Sequence, residues 1–276
     1  MPGPRAEGRP VPFIKWAGGK RSLLEQMRPH LPERFGRYFE PFVGGAALFF
    51  ELQPERAQLS DNNSRLIATY RGLRDDTDEV VRLLRGYRYN RNFFLKMRAR
   101  KIDDKTDAEI AAWFIYLNKT GFNGLYRVNS KNEFNVPFGR YVKPNICDEA
   151  NLRRCATVLA GAEIRLEDFE KATQQAERGD LVYFDPPYVP LSATSSFTSY
   201  TSNGFGSEEQ QRLRDTALRL LGRGVHVVLS NSSADAVREL YRGDFDLLQV
   251  HARRSINSRS DRRQAIPELL IKSRTF

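Results

Sequence analysis

The 276-residue chain predicts an α/β protein built on a mostly parallel, doubly wound sheet that a separate helical module interrupts. Short apolar strands alternate with amphipathic helical stretches at both ends of the sequence, the pattern of a sheet covered by helices on both faces. One long stretch between them, Arg65 to Ile146, drops that rhythm and reads as mainly helical and basic. Hydrophobic residues make up 40% and charged residues 28%, enough apolar surface for a core and too much for wholesale disorder. A chain of this length buries about three quarters of its unfolded surface without disulfide or metal support.

Taken in order, the chain opens with four prolines and two glycines in twelve residues and no apolar run of the signal-peptide kind, so residues 1–12 are expected to form a disordered tail. Tyr38–Phe42 reads as a buried strand, followed by a glycine turn and a helix in "VGGAALFFEL". Ala57–Asp61 is a second short strand ending on an acid, and Ala162–Asp168, Asp180–Tyr188 and Val225–Asn231 are three more. Ser207 with Gln210 reads as a capping box before an apolar face of Leu213, Ala217, Leu220 and Leu221, and Ser232 through Tyr241 as a similar helix. Near the carboxyl end, "AIPELLIKS" is expected to form an antiparallel edge strand after a sixth strand. In the interrupting stretch, Thr106 and Glu109 make a capping box before Ile110, Trp113, Phe114 and Leu117, a clear helix face. A hairpin is expected around Asn129–Asn132.

Charge is the first functional observation. Lys and Arg exceed Asp and Glu by ten, and Arg82–Lys105 alone holds nine basic and two acidic side chains. That balance favours a polyanionic partner through counterion release from a phosphate backbone, with solubility charge as the plain alternative. Cys147 and Cys155 lack metal-ligand spacing and His30, His226 and His251 are scattered, so no metal site is expected and reduced thiols in a cytoplasm are the default. The longest apolar stretches, such as Ala111–Leu117, are far short of the ~20 residues of a membrane span.

Two patterns carry chemistry. Asp185-Pro186-Pro187-Tyr188 closes an apolar strand and so lies at the carboxyl edge of the sheet, where open α/β folds bind ligands. The prolines stiffen the turn and fix the direction of the Pro186 carbonyl. A carboxylate, a fixed carbonyl and an aromatic face suit a planar base bearing an amino group; a proline-rich strand exit with a packed tyrosine is the alternative. The second pattern is Gly44-Gly45, with Asp61 seventeen residues after Gly44 at the end of the next strand, where an acid can bind ribose hydroxyls. There is no G-x-G-x-x-G, so a nucleoside cofactor without a pyrophosphate fits better.

"FIKWAGGK" (Phe13–Lys20), "YFEPFVGGAALFF" (Tyr38–Phe50), "LSDNN" (Leu59–Asn63), "GFNGLYRVNSKNEFNVPFGRY" (Gly121–Tyr141), "VYFDPPYVPLSATSSFTSY" (Val182–Tyr200) and "ARRSINSRSDRRQAIPELLI" (Ala252–Ile271) together resemble the Dam-type DNA adenine-N6 methyltransferases. The likeness runs from Phe13 to Lys272, in the motif order of the class whose recognition module lies between the glycine motif and DPPY. It implies a class I methyltransferase fold, a Rossmann-like seven-strand mixed sheet with an inserted helix-and-hairpin target-recognition domain. On that reading residues 13–64 and 147–276 form the catalytic domain and 65–146 the recognition domain.

The resemblance further implies S-adenosylmethionine as cofactor, held by Trp16, Lys20, Phe42, Gly44, Gly45, Asp61 and Asp185, with packing in the core as the other reading of Trp16. Asp185, Pro186, Pro187 and Tyr188 are the implied catalytic residues: the acid and the Pro186 carbonyl accept from the adenine amino group, and Tyr188 stacks on a base flipped out of the duplex. For GATC recognition, Lys15 and Arg127 are candidates for guanine, Leu125 and Pro137 for the thymine methyl, Tyr141 for supporting the base contacts and Phe122 as a wedge. Asn129, Asn135 and Arg140 are candidate phosphate contacts, and Asn123 belongs to the same DNA-binding set. In the basic run Arg253–Arg263, phosphate binding and a solvated loop are equally open. One departure is Ala46, where the family usually carries the last glycine of F-x-G-x-G; Gly45 is expected to restore the flexibility.

The expected partner is duplex DNA, with no membrane, no metal and action as a monomer in a bacterial cytoplasm, nucleoid-associated or phage-encoded. Rival readings are methylation of another DNA sequence alongside a restriction system, of cytosine N4 or of RNA adenine, a nucleotide-dependent oxidoreductase, and a catalytically silent DNA-binding regulator.

Overall fold

The computed structural model describes residues 8–188, 205–252 and 266–274. The expected basic run Arg253–Arg263, the second half of the DPPY motif block and most of the amino-terminal tail lie outside them.

Seven strands form one mixed sheet: β1 (Tyr38–Glu40), β2 (Ala57–Asp61), β3 (Ala162–Leu166), β4 (Leu181–Phe184), β5 (His226–Ser232), β6 (Asp246–Ala252) and β7 (Ile266–Lys272), in the order β3-β2-β1-β4-β5-β7-β6. β1 pairs in parallel with β2 and β4, and β4 in parallel with β5, while β7 runs antiparallel to β5 and β6. Among the described residues the α-helices are α1 (Leu24–Met27), α2 (Ala47–Leu52), α3 (Ser64–Asp75), α4 (Thr77–Gly86), α5 (Arg91–Arg98), α6 (Asp107–Thr120), α7 (Glu149–Leu159), α8 (Phe169–Ala172), α9 (Ser207–Gly222) and α10 (Asp235–Tyr241).

Three local expectations are corrected. "AIPELLIKS" supplies β7, which is not at the edge but slots between β5 and β6. Leu269, Leu270 and Ile271 are consecutive and all buried, the signature of a strand covered on both faces. The strand expected over Asp180–Tyr188 stops at Phe184, because two prolines follow that cannot donate to a ladder. Ser207 and Gln210 form no capping box: α9 begins at Ser207 itself with Gly206 as N-cap and no side-chain cap bond. Gln210 is buried, and its amide turns inward instead to Pro187 and Asn231.

The residues group into two compact units. The first comprises the chain to Gly19, Gly44–Gln53 and Asp61–Leu166. Its centre is α6, buried nearly all round: besides Ile110, Trp113, Phe114 and Leu117, it buries Ala111, Ala112, Ile115 and Tyr116. A helix apolar on every side belongs in the middle of its unit. The Thr106–Glu109 capping box forms at its start as expected. The buried indole of Trp113 donates to the Met97 carbonyl at 2.7 Å, and Arg65 lies over its ring while bonding Asp103 through two nitrogens. Val11 is tied to Asn151 by a bond in each direction, at 3.0 and 2.8 Å, so the segment expected to be a tail is anchored by this point.

The second unit comprises Lys20–Val43, Pro54–Ser60 and the chain from Glu167. Its core gathers Phe39, Phe169, Val182, Phe184, Phe205, Leu213, Leu220, Leu229, Leu269 and Ile271. All four residues of β4 are buried, as a central parallel strand requires. Because β1 and β4 are adjacent and parallel, Phe42 and Asp185 both leave the sheet at its carboxyl edge.

Candidate active site

In the second unit the residues around DPPY form a closed polar cluster. The Lys20 side chain is 3% exposed, and its Nζ lies 2.9 Å from Asp185 Oδ1, 3.9 Å from Glu268 Oε2 and 4.5 Å from the Tyr188 ring centre. The Tyr188 hydroxyl donates to Glu268 Oε2 at 2.6 Å. Gln210 donates to the Pro187 carbonyl at 3.2 Å and accepts from Asn231 Nδ2 at 3.0 Å, which clamps the proline turn against α9 and β5. Burial pushes the Asp185 carboxyl above the ordinary carboxylate range; Lys20 opposes this and the nearby Glu268 charge adds to it. Burial also drives the Tyr188 phenol far up, helped by the Asp185 and Glu268 charges, so it stays neutral at physiological pH. Phe42 packs in the aromatic core, stacked 5.4 Å from Phe169 and edge-on to Phe205 at 5.6 Å.

In the first unit a second group forms around the glycine turn. Gly44 has φ +44°, and a Cβ there would stand 2.6 Å from Trp16 Cδ1, so glycine is required both by conformation and by the indole lying on it. The Gly44 carbonyl accepts from the buried Tyr70 hydroxyl at 2.9 Å, and a Cβ on Gly45 would touch the Trp16 Cβ at 3.3 Å. Asp61 accepts from the Asn63 amide at 3.0 Å and faces the Gly44 amide at 3.5 Å. Desolvation raises Asp61 to about 6, against the lowering effect of the Asn63, Gly44 and Asn62 amides. Trp16 is half-buried and nearly parallel to Tyr126 at 6.0 Å and to Phe114 at 6.3 Å.

The same turn revises the expectation for Ala46. Gly45 does not take up the strain; Ala46 itself sits at φ 52°, ψ 39° as the N-cap of α2 and is buried. The left-handed conformation disfavours a Cβ, which is why a glycine suits this place.

The hairpin also lies in the first unit. Asn129 closes its turn: Oδ1 accepts from the Lys131 and Glu133 amides at 3.0 and 2.9 Å, and Nδ2 donates to Glu133 at 2.8 Å. Val128 and Phe134 bridge the arms. The exposed Arg127 donates from Nε to Asn135 Oδ1 at 2.7 Å. Phe122 is 51% exposed, large for an aromatic ring, and Pro137 and Arg140 are exposed while Leu125 and Asn123 are half-buried. Lys15 Nζ stands 5.2 Å above the Tyr141 ring, whose hydroxyl donates to the Gly121 carbonyl at 3.0 Å.

Comparison with known proteins bears on this geometry. Residues 16–256 match the model of the family described as D12 class N6 adenine-specific DNA methyltransferase. The chain belongs to this family. It is 45% identical over 94% of both chains to the type II methyltransferase M1.LlaDCHI of Lactococcus lactis subsp. cremoris. It is 41% identical to the type II methyltransferase M.MjaIII of Methanocaldococcus jannaschii, over 94% of this chain and 98% of the relative. It is 38% identical to the DNA adenine methylase of Escherichia coli K12, over 94% and 93%.

Within each unit the candidate residues of this adenine methyltransferase are held by side chains that motif reading passed over. Asn118, buried in α6, takes the Lys15 amide on Oδ1 and donates to the Lys15 and Gly124 carbonyls, all at 2.8 Å. It ties the backbone of Lys15 to that of Gly124. Tyr89 donates to Gly139 at 2.8 Å and accepts from the Tyr141 amide at 2.7 Å. A polar residue near the end of the apolar run IAAWFIYLN was the available signal for Asn118; Glu268 and Gln210 carried none. Among the described residues, no group of three or more His, Cys, Asp or Glu could hold a metal, and no helix is long and apolar enough to cross a membrane.

Proposed function

We propose that this adenine-specific DNA methyltransferase transfers a methyl group from S-adenosylmethionine to N6 of an adenine flipped out of duplex DNA, at GATC. The observation that supports it most is the Lys20–Asp185–Tyr188 cluster: an acceptor carboxylate held by a buried ammonium beside an aromatic face, at the exit of a central strand. The cofactor supplies an electrophilic methyl group on a cationic sulfur. The residues present suit such a group: Trp16 offers a half-buried aromatic face, and Asp61 a partly exposed carboxylate for ribose hydroxyls. Gly44, Gly45, Lys20, Phe42 and Asp185 complete our cofactor assignment.

The chemistry assigned to the chain is orientation. The adenine amino nitrogen is a weak nucleophile because its lone pair is conjugated into the ring. Hydrogen bonds from it to Asp185 and to the Pro186 carbonyl favour a more tetrahedral nitrogen with its lone pair directed at the methyl group. Burial makes Asp185 a stronger proton acceptor than a solvated carboxylate, which suits the positive charge that develops on nitrogen. Pro187 stiffens the turn, and Tyr188, its hydroxyl already engaged, offers its ring face to the base.

Residues 65–146 are assigned to target recognition. Lys15 and Arg127 address guanine, Leu125 and Pro137 the thymine methyl, and Phe122 the gap left by the flipped base; Asn129, Asn135 and Arg140 contact the phosphate backbone, Asn123 belongs to the same DNA-binding set, and Tyr141 supports the base contacts. We further place the enzyme in the cytoplasm, acting as a monomer. Transfer of a labelled methyl group to two duplexes that differ only in GATC or a scrambled site tests the whole reading. Label confined to GATC, on adenine N6, is the expected result. Equal transfer to both duplexes overturns the recognition assignments, and transfer to neither overturns the function.

A further inference from the structure

We infer that Glu268 is a positioning residue for methyl transfer: from β7 it holds the Tyr188 ring by accepting the phenol's hydrogen bond, and with Asp185 it fixes Lys20 between two carboxylates. The inference rests on the reading of Tyr188 as the face that receives the target base.

Glu268 stands on a rigid platform. Its backbone is paired on one side with Ser232 of β5 and on the other with Val250 of β6, so its position is set by two ladders. Tyr188 lies outside the ladders, four residues past the end of β4 and beyond two prolines, where Gln210 holds the Pro187 carbonyl but not the ring. A ring placed there needs a tether if it is to meet a base at a fixed height and tilt. At 2.6 Å, the Tyr188 hydroxyl to Glu268 Oε2 contact falls in the short range of bonds to a charged acceptor, about twice as strong as neutral ones.

Charge points the same way. The Glu268 side chain is only 14% exposed, and a carboxylate that covered is costly unless paired. Its partners are the Tyr188 hydroxyl and, at 3.9 Å, the Lys20 ammonium, which also lies against the Tyr188 ring and 2.9 Å from Asp185. Glu268 therefore touches both components that define the base-receiving face without being one of them. With its hydroxyl committed to Glu268, Tyr188 presents a ring rather than a proton donor. Supporting groups of this kind keep a site within the narrow tolerance that reaction geometry demands.

The test is a double-mutant cycle on the full-length protein with Tyr188→Phe, Glu268→Ala and their combination, and with Glu268→Gln as the variant that keeps an acceptor. Two quantities are read on a GATC duplex: the methylation rate at saturating substrates, and the emission of 2-aminopurine in the target position. Glu268→Ala is expected to slow methylation about tenfold while cofactor KM stays within about twofold, to shift the 2-aminopurine emission as Tyr188→Phe does, and to add little on the Tyr188→Phe background. Glu268→Gln should recover most of the rate. Multiplicative effects in the double variant, or wild-type emission in Glu268→Ala, overturn the inference. So does loss of cofactor binding in Glu268→Ala that Glu268→Gln shares, which would make the residue merely structural. A wild-type enzyme that methylates no duplex overturns the underlying reading instead, so the two failures are told apart.

Discussion

The DPPY cluster and the hairpin at Asn129 handle polar groups in opposite ways with similar residues. Around Asp185, two carboxylates, an ammonium and a phenol are mutually paired and largely out of water, in contacts of 2.6 to 3.9 Å. In the hairpin, exposed Arg127 bonds the half-buried Asn135, and Asn129 and Glu133 bond each other in the open. Removing a partner from the first set leaves a buried charge uncompensated, whereas the second set exchanges its bonds for water or a ligand at little cost. On the function proposed above, chemistry is assigned to the place where polar groups are fixed, and DNA reading to the place where they can be released.

The largest expected effect falls on the buried side. Asp185→Ala should reduce methyl transfer on the order of a thousandfold while leaving duplex affinity, measured by gel shift, nearly unchanged. Turnover near that of the wild type would break the contrast at its centre.

Titration gives the next effect, at the glycine turn. Asp61 is raised from its ordinary value of 3.8 to about 6 by burial, so between those two pH values the folded state binds more protons than the unfolded one. Stability then falls as pH rises through this window, by about 3 kcal/mol when complete. Cofactor affinity moves the other way, because ribose hydroxyls donate best to the ionised carboxylate. Urea unfolding and cofactor titration from about pH 4.5 to about pH 7.5, compared with Asp61→Asn, would check both signs. A pH dependence that survives in Asp61→Asn would assign it elsewhere.

On the exposed side, Arg127→Ala should relax specificity at one base pair and cost about 1–3 kcal/mol there, read as methylation rates on single-substitution sites. Uniform loss on every site would make Arg127 a phosphate contact. The smallest effect sharpens the comparison. Left-handed backbone occurs both at Asn123 and Asn132 of the hairpin block, residues that tolerate it, and in the buried glycine turn, which uses Ala46. Ala46→Gly should therefore raise stability by up to about 1 kcal/mol, seen as a higher urea midpoint. No gain would mean that the buried methyl group compensates the backbone strain.

Much of this was legible in the sequence because it is local. The apolar strand that leads up to Asp185, the capping box of Thr106 and Glu109, the hairpin at Asn129 and the glycine turn before α2 each depend on neighbours within a few residues, where side-chain periodicity and turn chemistry act directly. What only the tertiary structure decided is pairing across long separations. Glu268 meets Tyr188 from 80 residues away, Gln210 leaves its expected cap to hold Pro187 from 23 away, and Asn118 binds Lys15 across 103. β7 enters the sheet between β5 and β6 rather than at its rim, and it is this insertion that carries Glu268 to the site. Such choices rest on which buried polar groups find partners once the core closes, and a linear pattern of residues holds no record of that.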